Sequence, residues 1–557
     1  MTQKEKEANG SYKRNLISVS PVSSEISPPK PDFFTHLKRY CIHYCESTTV
    51  HGVKYVGERG RHVLEKLAWT AVVFVVCVFC IMLIHKTYQK WQLSPVIVTF
   101  ASQETPISQI PFPAVTLCPE AKFDPEVFNF THAMLMEQSG LKLNKQDKEY
   151  LQLSYLVCSS AMDYIDLFNT TLWNKTCSPE AIDKLGDEML PYFDVLGMTT
   201  VKWIGKSLNL NESLGISVTS EGFCYTFNML PYEEILRYSD NFNNSMKPKN
   251  KSRKWSLEEG YPPGETFDAF PRRTFMPGLD GGLTIDNIYV NNSHLDYLCG
   301  ESLQGFKVAL HHPSEFPSMD RHFRLPLNQA VVVAIKPQMI TVSPQLWNYS
   351  PKDRRCYFAN ERYLESYKMY TQQNCLQECV ANYTFAQCKC IPFYYASPEE
   401  KITICGPANN ECVRQSKLKY LEIESSNGKE SEQCDCLPLC TSLSYEVETS
   451  QTDWSWHNVL NILNHVKGLN RIRTDLDPKR AHFSKLTVYY KDLQFMTCVR
   501  NELYGLVDFF SNMGGLTGLF IGFSVVSAIE IVYFCTLRIW GNIRKYGQNA
   551  WSGEPAT

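Results

Sequence analysis

Several things are scarce in this chain, and each scarcity narrows what it can be. Charge of one sign is missing: 55 Lys and Arg stand against 58 Asp and Glu over 557 residues, a formal net charge of −3. No global field therefore directs the chain to nucleic acid. No cleavable signal peptide is expected, because the first 66 residues are polar, with Lys, Glu, Ser and Pro. No internal repeat is visible. Long apolar runs are few. With 44% hydrophobic residues overall, any membrane part must be small, and nothing between the two runs described next qualifies as a third.

The first run, Leu67–Ile84, carries no charge and would span about 27 Å as a helix. The second is uncharged from Phe509 to Ile529. Lys54, Arg59, Arg61 and Lys66 precede the first run, against Lys86 and Lys90 after it, and Arg538, Arg544 and Lys545 follow the second. That asymmetry predicts both ends in the cytosol and roughly 420 residues outside. The expected division is a cytosolic region 1–66, spans over 67–88 and 503–537, an exterior domain 89–502 and a tail 538–557.

Cysteine placement agrees. Of 21 cysteines, Cys41, Cys45, Cys77, Cys80 and Cys535 fall in tails or apolar runs, and sixteen lie between Cys118 and Cys498. An even number in one predicted exterior points to disulfides. Sequons at Asn129, Asn169, Asn174, Asn211, Asn243, Asn250, Asn291, Asn348 and Asn382 occupy the same interval. The densest cysteine cluster runs from Cys356 to Cys440. Cys375 and Cys379 share one face of an expected helix, about 6 Å apart. Cys434 and Cys436 share a face of an extended chain at about 7 Å. A chain returning antiparallel would pair 375 with 436 and 379 with 434, inside a 356–440 bridge. Zinc is the competing reading of such clusters, disfavoured by the oxidising exterior and by the lack of a Cys-x2-Cys pair within this cluster. No metal site is expected.

The pattern along the exterior predicts an α+β fold, a β core with peripheral helices, between two transmembrane helices. A short helix is expected near Asp32–Cys45 and no order in residues 1–30. Strands are expected over Ser94–Phe100, Ile110–Cys118, Ser302–Val308, Ala330–Ile335 and Ala481–Phe495. Residues 125–205 and 360–383 read as helical, and 239–282 as loop. The acidic run Glu422–Glu432 reads as solvated loop, and Cys41 and Cys45 as ordinary cytosolic thiols.

Glycines crowd the second apolar run at 514, 515, 518 and 522, each costing about 1 kcal/mol against Ala in a helix. Ser511, Gly515, Gly518 and Gly522 form one helical stripe. A small-residue helix contact is one explanation. A pore lining is the other, favoured by Glu530, since an ionisable group in a membrane segment is a functional-site hypothesis.

Five ordered motifs carry a resemblance to the epithelial sodium channel / degenerin / acid-sensing channel family, and within it to the insect pickpocket group. They are His51-Gly52, Phe112–Cys118, Gly222–Asn228, Arg355-Cys356 with the ten-cysteine cluster, and Gly518–Ser524 with Glu530. The resemblance implies a trimeric, amiloride-sensitive, sodium-preferring channel in the plasma membrane, homomeric or with related subunits, with no cofactor and no catalysis. It implies Gly522-Phe523-Ser524 as selectivity filter. Ser511, Gly515, Gly518 and Glu530 would line the pore, and His51, Gly52 and Ser511 would act in gating. Phe523 replaces a small residue of better-known members, and Asn512 stands where acid-sensing members have Asp. The implied disulfides are 118–224, 158–177, 356–440, 375–436, 379–434, 388–412 and 390–405. Cys299 and Cys498 are left over and are paired by elimination. A modulatory subunit that does not conduct is the alternative. An ATP-gated trimer or an ectonucleotidase would need nucleotide motifs, and Gly281-Gly282 alone is no phosphate-binding loop.

Overall fold

The computed structural model describes residues 32–93, 96–158, 173–189, 198–238, 255–264, 269–299, 303–396, 403–425, 434–465 and 479–553. Residues 1–30, Asn169, Asn243, Asn250 and most of Glu422–Glu432 lie outside them. Two compact units form, one from the chain ends (to residue 94 and from 504) and one from residues 95–503.

The larger unit is built on two sheets. Eight strands make the first, in the order Val96–Phe100, Cys498–Glu502, Gln329–Val342, Ala481–Tyr490, Leu283–Asn291, Thr200–Trp203 and Lys206–Leu208, with Ser442–Asp453 on the other edge of Gln329–Val342. The second has five strands, with Ala114–Pro119 between Phe306–His311 and Gly222–Phe227. Val115, Leu117, Phe227 and Val308 from one sheet meet Ile285, Val333, Leu486 and Val488 from the other in a single buried core. Alternating apolar residues supply each inner face. Two of the sequence motifs are thereby neighbours: Ala114–Pro119 and Gly222–Phe227 are paired strands joined by Cys118–Cys224. Asn228 closes the corner, donating to the Phe112 carbonyl at 2.6 Å and accepting from Arg272 N at 2.6 Å.

Several elements differ from the sequence expectation. Pro111 and Pro113 cannot donate to a ladder, so the strand expected from Ile110 begins at Ala114. The strand expected over Ser302–Val308 runs from Phe306 to His311. Residues 360–371 are not helical. The helix spans Gln372–Cys388, because the Thr371 side chain accepts from Asn374 N and caps it there. Ala481–Tyr490 ends before Lys491, and a separate strand, Cys498–Glu502, leads to the second apolar segment. Between Phe130 and Cys158 the chain is helical in two pieces, but Thr200–Trp203 is strand.

Among the described residues seven disulfides occur. Cys375–Cys436 and Cys379–Cys434 hold the segment before Cys440 on the Gln372–Cys388 helix, Cys356–Cys440 closes beside them, and Cys388–Cys412 and Cys390–Cys405 lock its far end. Two expected pairs are wrong. Cys158 bonds Cys299, not Cys177, with Cα atoms 4.5 Å apart. The reason is the loop before Cys299: Asp296 accepts from Thr131 N at 2.9 Å and Leu298 N donates to the Thr131 hydroxyl at 3.0 Å. That stitching sets Cys299 into the core cluster containing Cys158. Cys177 sits in a two-strand pair opposite Ile404, and Cys498 lies between Phe100 and Ile340 in the sheet, so Cys299 and Cys498 do not pair and Cys177 and Cys498 stay thiols. Disulfide mapping by mass spectrometry should recover a 158–299 peptide, with Cys177 and Cys498 alkylated without reductant. A 158–177 peptide would overturn the assignment.

Charge is handled differently at Glu221 and at Glu315. Glu221 meets Lys122 at 3.0 Å and Lys307 at 2.9 Å, all three buried. Burial alone would raise its pKa, but the two lysines outweigh it and hold it down to about 2. At the end of Phe306–His311, burial without a cation pushes the Glu315 carboxyl up to about 7, while His311 and His312 are pushed down to about 4 and about 3. A raised carboxyl destabilises the fold progressively as pH rises from its ordinary value, 4.5, through about 7. The histidines act oppositely, and equally in wild type and a Glu315 variant. Glu315→Gln should therefore gain stability over wild type between about pH 5 and 8, by on the order of 2 kcal/mol. Thermal unfolding of the purified chain in detergent reads this, and parallel pH profiles would refute it.

Candidate functional site

In the smaller unit, helix α1 (Phe33–Ser47) leads through a turn to α2 (Val53–Gly57) and the long apolar α3 (Val63–Leu93). At the other chain end lie two half-helices, Leu506–Ile521 and Val525–Tyr533, then a π-helical turn Phe534–Arg538 and a helix Ile539–Tyr546. The π turn accounts for the second stretch continuing past Tyr533. Two helices have membrane length and composition, Val63–Gln92 and Val525–Tyr546, with Leu506–Ile521 as a shorter apolar helix.

The interruption at 522–524 is built by three residues with different tasks. Gly522 is left-handed (φ 63°) and ends the first half-helix, its N–H bonding Gly518 O at 3.0 Å while Phe523 N bonds Thr517 O at 3.2 Å. The Gly522 bond is the single 5→1 closure of a helix that ends in a left-handed residue. Ser524 is extended and caps the second half-helix, its Oγ accepting from Ser527 N at 3.3 Å. The glycine at 522 is needed twice over. Its φ disfavours any side chain, and an added Cβ would lie 2.6 Å from the His51 ring.

The turn between α1 and α2 closes on that break. His51 N donates to the Ile521 carbonyl at 3.0 Å, a group left without a helical partner. Thr49 donates to the Glu530 carboxylate from its hydroxyl at 2.9 Å and its N–H at 3.3 Å, and meets Ser527 Oγ at 3.0 Å. Gly52 is left-handed (φ 83°), and a Cβ there would come within 2.8 Å of Val73 on α3. His51, Gly52, Gly522 and Glu530, up to 479 residues apart in sequence (530 − 51), thus form one cluster.

The small-residue stripe behaves differently. Ser511, Gly515 and Gly518 are exposed, and a Cβ at Gly515 or Gly518 would meet nothing within 4 Å. Leu506–Ile521 packs on α3 through aromatic rings instead: Trp91 stacks on Phe509 at 5.1 Å, and Phe79 meets Phe520 at 5.7 Å. Asn512 donates to the Asp508 carbonyl at 3.0 Å and bonds Tyr504.

Sequence reasoning missed Thr49 and Ser527, whose hydroxyls become legible only when the two chain ends meet. It also passed over Asp508, an exposed carboxylate one turn before Asn512 that bonds Gly505 N at 3.2 Å. An aromatic stripe on α1 at Phe33, His36, Tyr40 and Tyr44 was detectable, since the spacing of three and four is a helix face. Gly522→Ala should destabilise the purified chain by about 2 kcal/mol from backbone strain and the His51 clash. Adding His51→Ala should recover part of that loss, as thermal unfolding of both variants and the double mutant measures. Strict additivity would refute the contact.

Comparison with known proteins agrees with this architecture. A sequence profile described as amiloride-sensitive sodium channel matches residues 44–534. Pickpocket protein 28 of Drosophila melanogaster is 27% identical over 513 residues, covering 90% of this chain and 79% of that protein. Sodium channel protein Nach of the same organism is 21% identical over 535 residues, 93% of this chain and 92% of the relative. Epithelial sodium channel subunit beta of Neoceratodus forsteri is 29% identical over 162 residues, 29% of this chain and 24% of the relative. The two apolar segments, the disulfide-rich unit between them and a profile match across nearly the whole chain place it in the amiloride-sensitive sodium channel family, whose members are membrane ion channels and not enzymes.

Proposed function

We propose that this chain is the pore-forming subunit of a trimeric, sodium-preferring, amiloride-blocked cation channel of the plasma membrane, with both termini cytosolic. The spans are those over 67–88 and 503–537, between a cytosolic region 1–66, an exterior 89–502 and a tail 538–557. The observation that carries the reading is the interruption at 522–524 within an apolar helix. Irregular backbone at membrane depth is tolerated where protein or water covers it. Here the turn at 49–52 covers it on one side, and the pore supplies water on the other.

Gly522, Phe523 and Ser524 from each subunit then form the selectivity filter, their carbonyls replacing part of the hydration shell of Na+. Ser511, Gly515 and Gly518 line the pore. The aromatic packing of Leu506–Ile521 on α3 supports this, because it leaves the stripe free. Glu530 ties the N-terminal turn through Thr49 and adds negative charge to the ion path. His51 and Gly52 act in gating by bracing the break, and Ser511 is the position where bulk holds the gate open. Asn129, Asn174, Asn211, Asn348 and Asn382 are exposed and Asn291 is half-buried, which suits glycosylation of an extracellular domain. The partners are two further copies or related subunits, and the stimulus acts from outside.

Voltage-clamped cells expressing Ser511→Val should carry an amiloride-blocked sodium current, and Gly522→Ala in that background should change the Na+/K+ permeability ratio. Absence of current from Ser511→Val at the cell surface, alone and with related subunits, would refute the pore; an unchanged ratio would refute the filter.

A further inference from the structure

The chain does not end at the second apolar helix. Beyond Ile539–Tyr546 it reverses at Gly547 (φ 85°), and residues 548–553 lie back along α1. The Trp551 ring sits 5.7 Å from Phe33, 6.0 Å from His36 and 5.7 Å from Tyr40, three residues on one face of α1. His36 Nδ1 meets Ser552 Oγ at 2.7 Å, and Asn542 Nδ2 donates to the Trp551 carbonyl at 3.0 Å. Ser552, Asn542 and Tyr40 are all buried. This is a small core of its own, made from the two ends of the chain.

The same face of α1 continues onto the second apolar stretch. Phe534 packs against Tyr40, His43 and Tyr44, the last at 5.2 Å. The Tyr40 hydroxyl donates to the Phe534 carbonyl, which starts the π-helical turn, a place where the α-helical bond register is broken. Arg538 Nη2 lies 3.2 Å from His43 Nε2. α1 ends at Ser47, two residues before Thr49 and four before His51, the groups that bond Glu530 and Ile521. On its other side the turn is anchored by Gly52 against Val73 and by Tyr55 against Trp69 at 4.6 Å. The turn is therefore held between α3 and α1, and α1 is held by the tail.

We propose that residues 548–553 are a clasp that positions the 49–52 turn against the Gly522 break, with Trp551 as its positioning residue. Trp551 touches neither the break nor the ion path, and it acts through α1. The effect on conduction rests on the pore reading above, whereas the effect on the turn does not.

Two measurements on the full-length chain test this. In permeabilised cell membranes, Trp551→Ala should speed tryptic cleavage after both Arg39 in α1 and Lys54 beyond the turn by about ten-fold, as local opening becomes easier. In voltage-clamped cells at matched surface expression, it should lower the Na+/K+ permeability ratio by about five-fold. Trp551→Phe, which keeps a ring in place, should stay near wild type in both. Faster cleavage after Arg39 alone would show a tail contact that positions nothing, and would overturn the proposal. Unchanged cleavage at both sites would do the same. If the wild-type chain carries no current, the pore reading fails and the Lys54 cleavage rate still decides the clasp.

Discussion

Three residues, 522–524, leave the helical ladder inside an apolar segment, and the fold of the chain ends is organised around covering them. The Ile521 carbonyl loses its intrahelical donor when Gly522 turns left-handed. In hydrocarbon an unpaired carbonyl costs several kcal/mol, so a donor must be brought to it. His51 N–H is that donor, and everything that places His51 follows from the same need. Gly52 turns the chain and lies flat on α3, Thr49 binds Glu530 and Ser527, and α1 carries the turn back toward the Phe534 end of the second segment. A side chain at 522 would displace the group that completes the break.

The larger unit is stabilised on different terms. Its two sheets share one apolar core, and the helices outside them pack on further apolar clusters around Tyr155 and around Tyr367, to which disulfides are added. Five of the seven disulfides lie between Cys356 and Cys440, tying the Gln372–Cys388 helix to the segments on either side. Such links act chiefly by limiting the unfolded chain. The buried charges follow the usual rule for low-dielectric interiors. Glu221 is ionised because two lysines meet it, and Glu315, with no cation, retains its proton to about neutral pH.

Much of this was legible from residue order. The two apolar runs, the disulfide-rich segment between them and the pairing of 375 with 436 and 379 with 434 follow from local spacing, because a helix and an extended chain present cysteines at matching intervals. Element boundaries were less legible where one residue decides them, as Pro113 delays a strand and Thr371 delays a helix. The partner of Cys158 was not legible at all. It depends on a hydrogen-bonded loop at Asp296 and Leu298 meeting Thr131, a contact across some 165 residues that no spacing encodes.

The crowd of glycines after Ser511 shows the division most clearly. Sequence alone determined that this segment is apolar and crowded with glycine, with Gly522 inside the run and Glu530 at its end, since composition and helical period are local properties. Tertiary structure decided what each glycine is for. Gly522 is required because the His51 ring occupies the space of its Cβ, whereas Gly515 and Gly518 face nothing in their own chain. It also decided that Glu530 meets Thr49 and that Trp551 lies on α1. Those facts depend on two chain ends, some five hundred residues apart, arriving at the same place, and only the folded chain brings them there.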